Sequence, residues 1–157
     1  MAFGSNLGDR VWNLQQGLTY LSCYVKFRAF SQWKLTQPLQ DFCYFTENHE
    51  CYLNFACEIS TYLTPEQLYT EIYTIENKVG HSRLRKWLPR HLDIDIVFAA
   101  LNNHKNFSLC TPLRFENKKG LKIPHQGYFQ RDFWRFFIEK ELYVQEQAII
   151  SHFVSIV

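Results

Sequence analysis

The five cysteines of the 157-residue chain (Cys23, Cys43, Cys51, Cys57 and Cys110) are odd in number and form no C-x-x-C pair. That pattern argues against both a disulfide framework and a zinc cluster, and it fits a reducing cytosol. No apolar run approaches the ~18 residues of a membrane span, and no basic-plus-apolar leader opens the chain, so neither membrane insertion nor secretion is expected. Net charge is low, +2, too small to point to a nucleic-acid partner. Internal repeats, low-complexity tracts and linkers are missing. So are G-x-G-x-x-G and P-loop signatures. What is present is apolar and aromatic: 46% and 17% of residues, enough to fold rather than stay disordered. The length suits one domain, residues 1–157, with a sizeable core.

The hydrophobic periodicity lays out the elements. Asp9 is a good N-cap, and Val11, Leu14, Leu18 and Leu21 recur at helical spacing behind it. "YVKFRAF" alternates and predicts a strand running to about Trp33 or Leu35. A long loop follows. "YLNFACEIST" is a second alternating strand, with Leu53, Phe55, Cys57 and Ile59 on one face and Tyr52, Asn54, Ala56 and Glu58 on the other. Thr64, Pro65 and Gln67 form a capping box with proline in the first turn, and Gly80 ends that helix. Leu68, Ile72, Ile75 and Val79 are its expected buried stripe. "LKIPH" predicts a short strand, and aromatic-rich helical segments follow it. The order is roughly βαββαβ, an α+β class with helices packed on a sheet.

"RHLDIDIVFAAL", residues 90–101, reads as a strand carrying two aspartates. Asp93 and Asp95 fall on one face, their Cα atoms roughly 6.6 Å apart. Two such charges repel by roughly 0.7 kcal/mol in water and near 3 kcal/mol at an effective dielectric of 20. A bare D-x-D is usually a solvated sheet face. Here Arg83, Arg85, Lys86 and Arg90 stand just upstream. Acids beside cations are what a metal–triphosphate site requires: Mg²⁺ on the carboxylates, phosphate oxygens on the arginines.

Four stretches occur in order: GSNLG (Gly4 to Gly8), YLN (Tyr52 to Asn54), KWLPRHLDIDI (Lys86 to Ile96), and IPH followed by RDF (Ile123 to His125, Arg131 to Phe133). As a set they resemble the 6-hydroxymethyl-7,8-dihydropterin pyrophosphokinase family of folate biosynthesis, over nearly the whole chain. The D-x-D block with its upstream Trp-x-Pro-Arg is the most specific part.

The resemblance implies a ferredoxin-like α+β fold and an enzyme that moves the β,γ-pyrophosphoryl unit of ATP to the dihydropterin hydroxymethyl group, leaving AMP. It implies two Mg²⁺ ions on Asp93 and Asp95. Arg83 and Arg90 are expected on the triphosphate, with Arg85 or Lys86 nearby, and Trp87 closing over the site. Glu76, Ile96 and His125 are expected on the nucleotide side. Tyr52 and Phe133 are expected to sandwich the pterin, with Asn54, Thr36, Pro38 and Leu39 along its edge and Arg131 near the acceptor end. Loops at residues 36–51 and 81–91 are expected to exclude water once ATP is bound. The resemblance also implies a cytoplasmic monomer, with no nucleic acid or membrane as partner.

Departures from the family pattern are specific. His81 stands where Arg is usual, Tyr73 where Gln is common, and Pro38 follows Gln37 rather than a second proline. Only three residues precede Gly4, where the family's first strand is usually longer, so the expectation is either a misassigned start or a truncated first strand and a weaker sheet. These changes bear on nucleotide affinity more than on pterin recognition. Two other classes fit less of the sequence. One is a relative that binds nucleotide or pterin without efficient catalysis, marked by ATP binding without AMP release. The other is a ferredoxin-like RNA-binding module, which would stack bases on strand aromatics such as those of "FRAF".

Overall fold

The structure, a computed structural model, describes residues 1–38, 50–80, 88–101, 111–118 and 120–142. Strand β1 (Ala2–Ser5) leads through a turn into helix α1 (Arg10–Leu21). β2 (Lys26–Phe30), β3 (Lys34–Thr36) and β4 (Tyr52–Ser60) precede helix α2 (Pro65–Val79). Then come β5 (Asp93–Asp95) and four two-residue strands: β6 (Ala100–Leu101), β7 (Thr111–Pro112), β8 (Phe115–Glu116) and β9 (Lys122–Ile123). A 3₁₀ turn (Gln126–Tyr128) and helix α3 (Asp132–Arg135), continued by a π-helical turn (Phe136–Glu141), follow. The main sheet runs β2-β4-β1-β5, with β3 also on β4, and every pairing in it is antiparallel. The α+β class expected from the sequence is the one observed.

The capping signals act as read. The Asp9 side chain accepts the Trp12 amide, and Thr64 and Gln67 close a reciprocal capping box. Gly80 turns the chain out of α2 at φ 110°, a conformation that favours glycine. Leu68, Ile72, Ile75 and Val79 are all buried. On α1 the stripe is narrower than expected: Leu14 and Leu21 are buried, but Val11 is 47% exposed.

Two strands differ from expectation. The stretch from Lys26 to Thr36 is broken into β2 and β3 because Ser31 leaves the regular ladder. Its main chain donates to Ala56 O, while its hydroxyl accepts the Ala56 amide. The aspartate strand is only three residues long, since β1 offers it partners from Ala2 to Gly4. Beyond Asp95 the chain serves other segments: Val97 O accepts from His125 and Ala99 O from Leu113.

The two sheet faces have separate tasks. Phe3, Phe55, Cys57 and Ile94 point to α1 and α2 and form the larger core. Ala2 and Ala56 point the other way, under Tyr128, Trp134, Phe137 and Ile138 of the C-terminal helical segment. That second face also carries Tyr52, Asn54, Asp93 and Asp95, by strand alternation.

Helix α1 approaches β5 closely at Gly17. A Cβ there would lie 2.8 Å from Leu92 Cδ2, and Leu92 is fully buried just before Asp93. In an open helix Gly→Ala gains about 1 kcal/mol, whereas overpacking a closed core costs roughly 1–3 kcal/mol. Gly17→Ala is therefore expected to lower the denaturation midpoint at unchanged slope. A raised midpoint would mean that Leu92 can yield.

Candidate active site

On the second face, the central strand β1 contributes only Ala2 and Gly4. Opposite Gly4 stand Asn54 on one side and Asp93 on the other; opposite Ala2 stand Ala56 and Asp95. Small residues in the middle and polar side chains to either side make a trough floor. The C-terminal helical segment closes one end of it.

Ile94 locks the acidic strand in place. Its side chain is 1% exposed, and its amide donates to Glu76 Oε1 at 2.8 Å. Asp93 and Asp95 thereby share the outward face, each partly buried. Arg90 Nη1 meets Asp93 Oδ1 at 2.5 Å. Arg131 Nη1 approaches Asp95 Oδ2 at 3.5 Å, and His125 Nε2 approaches Asp95 Oδ1 at 3.7 Å. Burial, and then the Asp93 charge, push the Asp95 carboxyl above its ordinary range against the pull of His125, Arg131 and Arg90. For Arg90, burial works against the charged form, but Asp93 outweighs it and raises the guanidinium pKa. The Tyr52 phenol is raised by burial and also feels Arg90, Asp93 and Arg131, so it belongs to the same cluster.

The amide side of the trough is equally determined. Asn54 is 6% exposed, and its Nδ2 donates to Thr36 Oγ1 at 2.7 Å. Its carboxamide lies directly over Gly4: a Cβ on that residue would sit 2.6 Å from Asn54 Oδ1. Glycine is required there by close approach, not by backbone angle.

Asn6, which sequence reasoning passed over, ties the site's borders together. It is 1% exposed. Its amide donates to Arg90 O at 3.0 Å, its Oδ1 accepts from Arg90 N at 2.7 Å, and its Nδ2 donates to Glu50 O at 3.3 Å. Arg10 adds a bond to Cys51 O at 2.8 Å. The available signal was the asparagine inside GSNLG, at the mouth of a strand-to-helix turn.

The structure brings Thr36, Tyr52, Asn54, Arg90, Asp93, Asp95, His125 and Arg131 to one face, with half-buried Phe133 on α3 beside Arg131. Pro38 is partly buried just after β3. Glu76 and Ile96, expected on the nucleotide side, flank the acidic strand from within the core. Glu76 is fully buried beneath β5, and Ile96 is 4% exposed in the helix-side core. Leu39, Arg83, Arg85, Lys86 and Trp87 lie outside the described residues.

The donor set suits Mg²⁺. It offers two hard carboxylates on one face, and among the described residues no cluster of three or more His, Cys, Asp or Glu could enclose an ion alone. Mg²⁺ commonly takes one or two carboxylates and completes its shell with phosphate oxygens and water. Arg90 Nε, buried and without a hydrogen-bond partner among the described residues, adds an unused donor beside them. No helix among the described residues is long and apolar enough to cross a membrane.

The family model described as 7,8-dihydro-6-hydroxymethylpterin-pyrophosphokinase matches residues 1–140. The chain is 29% identical over 134 residues to the 2-amino-4-hydroxy-6-hydroxymethyldihydropteridine pyrophosphokinase of Aquifex aeolicus, covering 85% of this chain and 73% of that protein. It is 29% identical over 160 residues to the protein of the same name from Haemophilus influenzae, covering 99% and 89%. A folic acid synthesis protein of Dictyostelium discoideum is 32% identical over 135 residues, but there the match spans only 18% of the relative's length.

Asp95 also sets a stability test. Its folded-state pKa lies above the unfolded value, so the folded protein holds that proton more tightly. Stability from this group is present at low pH and lost as pH rises through the folded pKa. With metal chelated, Asp95→Asn should melt higher than wild type at pH 7. The gap should close as pH falls toward the unfolded value near ~3.9. A lower melting temperature at pH 7 would mean that the Arg131 and His125 pairs outweigh the burial and repulsion.

Proposed function

The chain belongs to the 7,8-dihydro-6-hydroxymethylpterin-pyrophosphokinase family, and on that premise we propose that it transfers pyrophosphate from ATP to 6-hydroxymethyl-7,8-dihydropterin through the trough on its second sheet face. The observation that carries this reading is the meeting, on one face, of two carboxylates, three cationic or polar donors and an aromatic–amide edge. The reaction makes pterin diphosphate for folate biosynthesis. The acceptor hydroxyl oxygen bonds to the β-phosphorus. The bond from that phosphorus to the α,β-bridging oxygen breaks, AMP leaves with the oxygen, and the hydroxyl proton passes to water.

Transfer of this kind requires positioning and charge neutralisation rather than a protein nucleophile. Asp93 and Asp95 would hold Mg²⁺, two ions as the resemblance implies, which neutralises developing charge on the phosphate oxygens. Arg90 serves the triphosphate through its fork of donors, together with Arg83, Arg85, Lys86 and Trp87, which precede it in the sequence and which the resemblance assigns to the same task. His125 and Arg131 stand at Asp95, where the donor and acceptor ends meet. Tyr52 and Phe133 offer flat faces to a flat ring, and Asn54 offers an amide to its polar edge. Glu76 acts from below, by holding the Ile94 amide and with it the spacing of the two acids. The reading requires one chain and two small substrates, in the cytosol.

An AMP-release assay with ATP, Mg²⁺ and the hydroxymethyl-dihydropterin tests it. AMP should form only when all three are present. ATP binding seen by calorimetry with no AMP formed would contradict the reading and favour a non-catalytic binder.

Tyr52→Ala and Phe133→Ala should each weaken pterin binding about fivefold or more, from about 1 kcal/mol of stacking beyond buried area. ATP binding should change less; equal losses for both ligands would indicate a packing defect instead. Gly4→Ala should reproduce the pterin defect of Asn54→Ala, on the order of tenfold, by displacing the carboxamide. Calorimetry of each variant with each substrate reads all four, and unchanged pterin affinity in Gly4→Ala would show that Asn54 does not face the ring.

A further inference from the structure

Trp134 lies behind the site and is 2% exposed, so it cannot reach a substrate. Its neighbours are nonetheless unusual for a core indole. The Arg131 guanidinium sits over its face, with Cζ 4.2 Å from the ring centroid. The His125 ring meets it edge-on, with centroids 5.2 Å apart at 65°. These two guests are the groups that approach Asp95, Arg131 at Oδ2 and His125 at Oδ1. His125 is fixed a second way, because its Nδ1 accepts the Gly127 amide at 3.1 Å. That bond leaves the neutral ring's proton on Nε2, the nitrogen facing Asp95. Gly127 is part of the cradle. A Cβ there would lie 3.0 Å from His125 Nδ1 and 3.3 Å from Trp134 Cζ3, tighter than ordinary contact.

We propose that Trp134 is a positioning residue for the pyrophosphoryl transfer: one indole aligns Arg131 and His125 on the two oxygens of Asp95. The inference rests on the function proposed above. The chemistry favours tryptophan because its face is the best of the aromatic side chains for holding a cation. An apolar side chain of similar bulk would fill the core but leave the guanidinium free to swing on its long stem. The same position therefore carries two separable tasks, packing against Tyr128 and Phe137 and aligning the pair.

Three variants separate these tasks: Trp134→Met, Trp134→Phe, and Ile138→Ala as a packing control in the same cluster. Trp134→Met should lower kcat roughly tenfold, the low end of what losing an outer supporting partner costs, with both KM values moving less than about threefold. Trp134→Phe keeps a π face and should return kcat to within about threefold of wild type. Ile138→Ala should lose comparable melting temperature yet keep kcat within about twofold of wild type. A substrate-free readout stands beside the kinetics. The Arg131 Nε–H resonance, assigned by its loss in Arg131→Lys, should be ring-current shifted in wild type and return toward its ordinary position in Trp134→Met. If wild type releases no AMP, the function reading fails, and the resonance alone decides the positioning claim. Wild-type kcat in Trp134→Met, a kcat loss equal to that of Ile138→Ala, or an unmoved Arg131 resonance would each overturn the proposal.

Discussion

Two carboxylates held on one face of a three-residue strand are the constraint on which the rest of the structure depends. Left alone they repel, and partial burial makes the charged pair costlier still. The chain answers from every side. Ile94 anchors the strand in the core, and Glu76 takes its amide. Arg90 takes Asp93, while Arg131 and His125 take Asp95. These groups come from three segments: Arg90 and Ile94 at β5, Glu76 on α2, and His125 and Arg131 in the C-terminal segment, so the acidic pair is also where the sheet, α2 and the C-terminal helical segment meet.

The compensation is incomplete. The Asp95 carboxyl remains raised despite its three cationic or polar neighbours. Two carboxylates, with burial disfavouring the charge of Asp95, in a site with no enclosing ligand cluster among the described residues, suit a metal arriving with phosphate oxygens. The small residues Ala2 and Gly4 leave space above the central strand, while Asn54 and Tyr52 border it. On the function proposed above, the stability given up here would be restored by binding, a trade common at functional sites.

Much of this was legible in the sequence because it is local. The α2 capping box, the Gly80 stop and the alternation of β4 are set by neighbours a few residues apart, and they appear as read. The shared face of Asp93 and Asp95 follows from a two-residue period. The reasons behind other residues are long-range and left no periodic mark. Gly4 is glycine because Asn54, fifty residues on, lies across it; Asn6 matters because it meets Arg90 and Glu50. Trp134 reads in sequence as one more aromatic in an aromatic run, and only the fold places Arg131 on its face. The burial of Ile96 and Glu76 is likewise long-range, since a position next to a motif does not say which way a side chain points. β2 and β3 were read as one strand because Ser31 breaks the ladder through a partner on β4.

The central claim, that the acidic pair is the metal site, is tested most directly by steady-state AMP release from Asp95→Asn across a Mg²⁺ titration. The side chain keeps its shape and loses one charge, and an amide oxygen is a much poorer Mg²⁺ ligand than a carboxylate. Loss of an outer partner alone costs about 10–100-fold, so loss of a direct ligand should cost at least roughly 100-fold in turnover. Asp95→Asn turning over at near the wild-type rate at ordinary Mg²⁺ would contradict the account.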